Sequence, residues 1–401
     1  MHPSSKAYRL SKGVKAATPA FPHKIFEKKY QICEIDNHFH IDTVTPHSYN
    51  TVPGPDNMGK NTLALIKPNE RLLMKHFSIK KTASLLLAGL LTLGACACSS
   101  AGAAGSNGKL KIVTTIFPEY EWVKEIAGDK ISNIDLTLLL DNGVDLHSYQ
   151  PNAQDIIKIS SCDVFIYVGG ESDEWVEDAL KEAVNKNMQV VNLMETLGSA
   201  VKEEETVEGM QAEDEHDHDE EEKEYDEHVW LSLKNAKVLV NGIADAMGKA
   251  DPSNAASYKA NAESYNNKLT ELDSRYETTI KSAGKNTVLF ADRFPFRYLT
   301  DDYGLKYYAA FAGCSAESEA SFETIVFLSG KLDELGLKTV LVIDRSDKKV
   351  ATTVVNNTKS KDQEILMMDS LQSASSSDSA KGVSYISVME KNLEVLSKAL
   401  A

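Results

Sequence analysis

The residues in this chain that could do chemistry are imidazoles set among carboxylates. From Glu213 to Trp230 it reads EDEHDHDEEEKEYDEHVW, with His216, His218 and His228 among the acids. Neutral imidazole and carboxylate together suit a divalent first-row cation such as zinc or manganese. Nothing apolar precedes Tyr225, so the front of this run is read as a solvated loop; the plain alternative is an acidic linker with scattered histidines. His228 differs, because Val229, Trp230, Leu231 and a helical run from Leu233 follow it, placing it where loop gives way to structure. A second histidine, His147, lies in the segment DNGVDLHSYQP (141–151), directly after an apolar run. The alternative there is a loop histidine capping the next helix. A third candidate, Asp344, directly follows the apolar run of VLVIDRSD, where it could equally be a cap or a partner of Arg345. His38, His40 and His47 lack matching ligands around them and are read as incidental.

These positions need elements to hold them. From Lys109 onward short apolar runs alternate with amphipathic stretches, the pattern of a parallel sheet covered by helices. Expected strands in the first half are Lys111–Phe117, Ile134–Leu140, Val164–Val168 and Val190–Leu193, with helices at Glu119–Ala127, Ala153–Ser160 and Glu174–Asn185. The second half repeats the scheme, with strands at Thr287–Ala291, Tyr307–Phe311, Val340–Ile343 and Ile365–Met368. Its helices are expected at Phe296–Asp302, Phe322–Leu335, Lys349–Asn356 and Ile386–Leu400. Between the halves a long polar-faced helix over roughly Ala255–Ser282 carries Leu269, Leu272 and Tyr276 at helical spacing. The expected fold class is α/β, two Rossmann-like lobes with mostly parallel sheets joined by one long helix. In such sheets ligands collect at the carboxyl ends of strands, where His147 and Asp344 fall.

Composition narrows the partners. A formal charge of -16, from 59 acids against 43 bases, argues against nucleic acid and for a cation. A hydrophobic content of 42% over 401 residues is globular and allows two domains. The cysteines Cys33, Cys96, Cys98, Cys162 and Cys314 lack the spacing of a disulfide framework.

The front of the chain reads differently from the rest. Residues 1–73 show no sustained helical or strand period and are expected to form no domain. From Met74 a basic head with Lys75, Lys80 and Lys81 is followed by the apolar run ASLLLAGLLTLGA, too short for a comfortable membrane span. Leu93-Gly94-Ala95 then leads into Cys96, which resembles the lipobox of a bacterial lipoprotein signal peptide, with Cys96 the lipidated residue. On this reading translation starts at Met74, residues 1–73 are an over-called extension, 74–95 are signal peptide and 96–108 a small-residue tether to the membrane surface. The folded parts are then a metal-binding lobe over 109–245, with an acidic His-containing loop at 202–227, a linking helix over 246–284 and a second metal-binding lobe over 285–401.

With GVDLHSYQP, the acidic His-containing insert, DEHVWLSL, the linking helix and RYLTDDYGL, the body from Lys109 to Ala401 resembles the zinc- and manganese-binding lipoproteins that feed ABC importers, the cluster with a rigid interlobe helix. The resemblance implies two α/β lobes with the metal between them, held by three histidines and a carboxylate, or by three histidines and a water. His147 matches the first histidine, His228 the second, and Asp344 the carboxylate in a looser motif. The third is replaced: counting back from Tyr303-Gly304-Leu305 puts Arg293 in its place, and no histidine follows His228. Guanidinium offers no lone pair to a metal. Either Cys314, Glu317 or Glu319 of GCSAESEAS supplies a donor, with Arg293 steadying a carboxylate behind it, or water completes the set. Cys314 as thiolate would favour zinc over manganese, whereas its alternative is a small buried thiol. The resemblance also gives the acidic insert a metal-gathering role, with His216 and His218 as weak, exchanging donors outside the main site.

The implied function is capture of Zn2+ (Mn2+ as the second possibility) outside the cytoplasmic membrane and delivery to an ABC permease, by a monomer that performs no catalysis. The alternatives are a metal-dependent hydrolase, against which stand the absence of HExxH and of a nucleophile elbow, and a surface adhesin with structural metal.

Overall fold

The computed structural model describes residues 108–211, 224–315 and 319–401. The expected extension, signal peptide, lipidation at Cys96 and nearly all of the tether lie outside the described residues, as do His216, His218 and Glu317.

Two sheets carry the fold. In the first, β1 (Leu110–Thr114), β2 (Ile134–Leu138), β3 (Val164–Tyr167) and β4 (Gln189–Asn192) pair in parallel in the order β2-β1-β3-β4. Between them run α1 (Phe117–Ala127), α2 (Ala153–Ser161) and α3 (Trp175–Lys181), and α4 (Leu193–Leu197) follows β4. In the second, β5 (Thr287–Phe294), β6 (Lys306–Ala312), β7 (Thr339–Ile343) and β8 (Glu364–Met368) repeat the same parallel order, β6-β5-β7-β8. Here α7 (Arg297–Tyr303), α8 (Phe322–Leu335) and α9 (Lys349–Asn357) make the crossovers. The order reverses between β1 and β3 and again between β5 and β7, so each lobe has a switch point where its connections diverge and a cleft opens.

Sheets and linking helix agree with the expectation. The central strands β3 and β7 read VFIY and TVLVI and are buried on both faces, as parallel strands under helices must be. Boundaries moved where polar signals were local. The first strand stops at Thr114 because Pro118 sits in the first turn of α1, which starts at Phe117 rather than Glu119.

Between the sheets run α5 (Leu233–Ala250) and α6 (Ala255–Lys281), and α10 (Ser376–Ala380) and α11 (Tyr385–Ala399) close the chain. Residues 246–250, expected in the linking helix, are the last turn of α5. α6 buries Tyr258, Ala262, Tyr265, Leu269, Leu272 and Tyr276. One continuous core takes in residues of β1, α1, α5, α6, β5 and α11, and a smaller cluster fills the space behind the second sheet. Polar ties cross the same core: the Tyr276 hydroxyl donates to Met389 O at 2.6 Å, the Tyr385 hydroxyl to Trp230 O at 2.6 Å, and Trp230 Nε1 to Ser370 O at 2.9 Å.

Candidate metal centre

The carboxyl ends of both sheets face a shared cleft, and the two imidazoles meet there. After β2 the chain reaches a single 3-10 turn, Leu146–Ser148, whose cap is Asp145: its Oδ1 accepts from His147 N at 3.2 Å. His147 projects from that turn. His228 comes from the other side, ahead of the 3-10 turn Val229–Leu231, and is fully buried. Their Nε2 atoms are 3.3 Å apart. Two donors 2.0–2.1 Å from one tetrahedral zinc are separated by about 3.3–3.4 Å, so the spacing is that of one edge of such a site.

The other ring nitrogens fix which atom faces the cleft. His228 Nδ1 is 3.0 Å from Asp226 Oδ1, an oxygen that also accepts from His228 N at 2.8 Å. His147 Nδ1 is 2.8 Å from Ser172 Oγ and 3.4 Å from Glu227 Oε2. With the proton on each Nδ1, the tautomer that ligation through Nε2 requires, the two Nε2 lone pairs face one another. Such lone pairs repel unless a cation lies between them. Glu227 is 2% exposed; its Oε1 accepts from Ser172 N at 2.8 Å, and its Oε2 faces His147 Nδ1. Burial acts to raise the Glu227 pKa, but the bonds from His147 and Ser172 outweigh it and keep the carboxyl below its ordinary range. It therefore stands as an anion behind His147.

Two glycines make this approach possible. A Cβ on Gly170, which has a φ of +84°, would come within 2.4 Å of Glu227 Oε1. One on Gly313 would meet Phe294 O at 2.9 Å and the His228 ring at 3.0 Å.

Gly313 brings in the next donor. His147, His228 and Cys314 each offer one ligand atom, all within 4.8 Å of one another. Burial pushes the Cys314 thiol up, and Glu204, Asp226 and Glu227 push it further in the same direction. The sulfur is thus a thiol until a divalent ion displaces its proton.

Other expected donors lie elsewhere. Asp344 is not in this set. Its Oδ1 accepts from Ser370 N at 2.7 Å and from Ser370 Oγ at 2.6 Å, and Oδ2 from Ser373 Oγ, which ties the carboxylate to the loop after β8. Glu319 is exposed, within electrostatic range of Lys349. Arg293 follows a register irregularity in the pairing of β5 with β6. Its Nη2 donates to Asp145 Oδ2 at 2.6 Å, and Nη1 lies 3.5 Å from Ser315 O. Burial would raise Asp145, but the Arg293 guanidinium holds it below the usual carboxylate range. Arg293 therefore steadies the cap of the His147 turn. Arg345 reaches Gly143 O at 2.9 Å rather than pairing with Asp344.

Sequence reasoning overlooked Asp145, Ser172, Asp226 and Glu204. Asp145 and Asp226 each sit two residues before a histidine, a spacing that lets a carboxylate cap the backbone N–H of the very turn it precedes. Ser172 comes from an unrelated loop, and nothing local marks it. Glu204 accepts from Cys314 N at 3.2 Å, and its carboxyl is pushed up by burial and by Asp226 and Glu224. It lies on the first leg of the acidic loop. That leg is zipped to the return leg by Glu204 N to Glu224 O at 2.9 Å and Asp226 N to Lys202 O at 3.0 Å.

Two α/β lobes of identical strand order, fused through one core and presenting paired imidazoles in the cleft, define the class of two-lobed binding proteins. Residues 112–399 match the family described as ZnuA, zinc-uptake complex component A, periplasmic, and the chain belongs to that family. The high-affinity zinc uptake system protein ZnuA of Bacillus subtilis is 34% identical over 323 residues, covering 79% of this chain and 96% of that protein. Zinc-binding protein AdcA of Streptococcus pyogenes is 30% identical over 73% of this chain but only 56% of its own length, so the chain spans about half of that relative. Among solved structures, the Zn(II)-bound ZnuA-like domain of Streptococcus pneumoniae AdcA aligns with a TM-score of 0.57 at 28% identity, over 73% of this chain and 99% of that one. The metal-dependent lipoprotein YcdH of Bacillus subtilis aligns with 0.58 at 30% identity, over 73% and 99%.

Proposed function

We propose that this chain is an extracytoplasmic solute-binding lipoprotein that captures Zn2+ between His147, His228 and Cys314 and hands it to the permease of an ABC importer. The observation that carries this reading is the 3.3 Å separation of the two Nε2 atoms, each on a ring whose Nδ1 has a hydrogen-bonding partner. A thiol as third donor favours zinc over manganese, because soft sulfur binds the borderline-soft ion better than the hard one. The relatives named as zinc-binding or zinc-uptake proteins support the same cargo.

The task requires no covalent step. Each imidazole offers its Nε2 to the ion, the thiol gives up its proton as the ion arrives, and Asp226 and Glu227 hold the rings so that little ordering remains to be done on binding. A hydrolase would need a base aimed at a metal-bound water. Glu227 faces Nδ1 of His147, on the far side of the ring from the cleft atom, which is the position of an orienting group. Anchoring through Cys96, a monomeric state and a metal-gathering role for His216 and His218 complete the proposal. Zinc competition titration of the mature protein tests it: one ion per chain, lost in His147→Ala, is the expected result. Equal affinity in wild type and His147→Ala would sink it.

A further inference from the structure

Three donors leave a tetrahedral ion one short, and the expected fourth partners are otherwise engaged. Asp344 is bound by Ser370 and Ser373. Asp145 stands 4.0 Å from His147 Nε2, but its Oδ2 is taken by Arg293 and its Oδ1 by His147 N. Glu227 serves the Nδ1 side of His147.

What remains lines the cleft itself. A cavity of about 230 Å³ opens beside the donors, walled by His147 and Cys314 together with Glu171, Glu204, Glu224 and Glu227, and among the described residues no lysine or arginine lines it. Glu227, whose Oε2 lies 3.4 Å from His147 Nδ1, belongs to the same wall. Four carboxylates around so small a space, with no cationic side chain among the described lining residues, form a potential well for a cation. Among them Glu204 is set apart by its partner: its Oε1 accepts from the backbone N–H of Cys314, and His228 lies near enough to bias its charge. It is the acid of this wall that touches a donor residue at the cleft side.

We infer that Glu204 is the fourth ligand of the captured ion, so that the first leg of the acidic loop closes the metal centre where the third histidine of the family pattern is replaced by Arg293. This rests on the reading of His147, His228 and Cys314 as the other three. The carboxylate stands outside the 4.8 Å set formed by those donors, so binding swings it inward about its χ angles. The hydrogen bond it would loosen, at 3.2 Å to Cys314 N, is a long one. The ligand then arrives on a segment packed against the second lobe, since Gln211 N donates to Ala310 O at 2.9 Å and Tyr307 Oη to Glu205 Oε2 at 3.0 Å. Occupation of the centre is thereby coupled to the base of the acidic loop.

The test uses the mature protein with Zn2+ and Co2+ as probes, in wild type, Glu204→Gln and Glu171→Gln. Glutamine keeps an oxygen for Cys314 N–H, so metal-free Glu204→Gln should melt with wild type, and equal near-UV circular dichroism verifies the fold. The expected result is at least a tenfold loss of Zn2+ affinity in Glu204→Gln, with changed cobalt d–d bands and an intact sulfur-to-cobalt charge-transfer band. Glu171→Gln removes one charge of the well but no ligand, so it should lose distinctly less than Glu204→Gln, about threefold at most, with unaltered d–d bands. Unaltered affinity and d–d bands in Glu204→Gln overturn the assignment, and so does an equal loss in Glu171→Gln, which would mean that only the field of the cavity matters. A wild-type cobalt spectrum lacking the sulfur band would instead refute Cys314 as a donor, a separate failure.

Discussion

At the scale of single residues, the site is a set of hydrogen bonds that decide which lone pairs face the cleft. Removing a donor and loosening a donor should therefore differ in size. His228→Ala removes a lone pair and should abolish stoichiometric zinc binding in a competition titration. Asp226→Asn leaves the ring in place but weakens its orientation, and losses of about 10- to 100-fold are typical of such changes. A loss in Asp226→Asn as complete as in His228→Ala would show that the carboxylate does more than orient. Cys314 and Asp344 form the sharper contrast. Cys314→Ser should weaken zinc by at least tenfold and erase the sulfur-to-cobalt band, because a serine hydroxyl does not ionise as a ligand here. Asp344→Asn should leave zinc affinity within about threefold and instead lower the melting temperature, since its oxygens hold Ser370 and Ser373 at the end of the second sheet. Zinc lost in Asp344→Asn with an unchanged melting curve would return that carboxylate to the ligand set.

At the scale of elements, the strands and crossovers were legible because buried parallel strands are short apolar runs and the linking helix keeps its helical spacing over 27 residues. α8 was readable to both ends, with Ser321 capping its start and Gly336 in the left-handed conformation at its end. The short helices α4 and α10, five residues each, carry too few turns to show a period. In the centre, His147 and His228 were legible because each sits in a distinctive local string, whereas Ser172 and Glu204 enter by tertiary contact alone. Arg293 was read as incompatible with ligation; its partner, Asp145, is 148 residues away and no local pattern predicts the pair. Element packing also sets a pH response. Glu119 in the first turn of α1 is fully buried, and its Oε2 accepts from Thr115 N at 2.8 Å and Ile116 N at 3.2 Å. Burial pushes its carboxyl up to about 8, from an ordinary 4.5, despite those bonds. A raised acid favours the folded state fully below its unfolded pKa and loses that contribution as pH climbs through the folded one. Thermal stability should therefore decline between about pH 5 and 9, with Asp173, raised to about 7 mainly by burial, adding to the slope. Glu119→Gln keeps the acceptor oxygen, cannot ionise, and should flatten the decline in melting temperature; an identical slope in the variant would refute the assignment.

At the scale of the molecule, the two lobes are not free to clap shut. The core that holds β1 and α1 continues through α5 and α6 into β5 and α11, and Trp230, two residues beyond His228, bonds to Ser370 of the second lobe while Tyr385 bonds back to it. A hinge motion would have to break that packing, whereas capture of one ion between side chains already 3.3 Å apart requires only that loops settle. Zinc should then act as a ligand of a preformed state. At a free concentration 100 times the dissociation constant it adds about 2.7 kcal/mol to folding, which in a body of this size raises the melting temperature by roughly 4–5 °C. Over the same titration the radius of gyration from small-angle scattering should change by less than about 1 Å, because loop closure moves little mass. A contraction of several ångströms on adding zinc would mean that the shared core yields on binding and that capture is a domain closure.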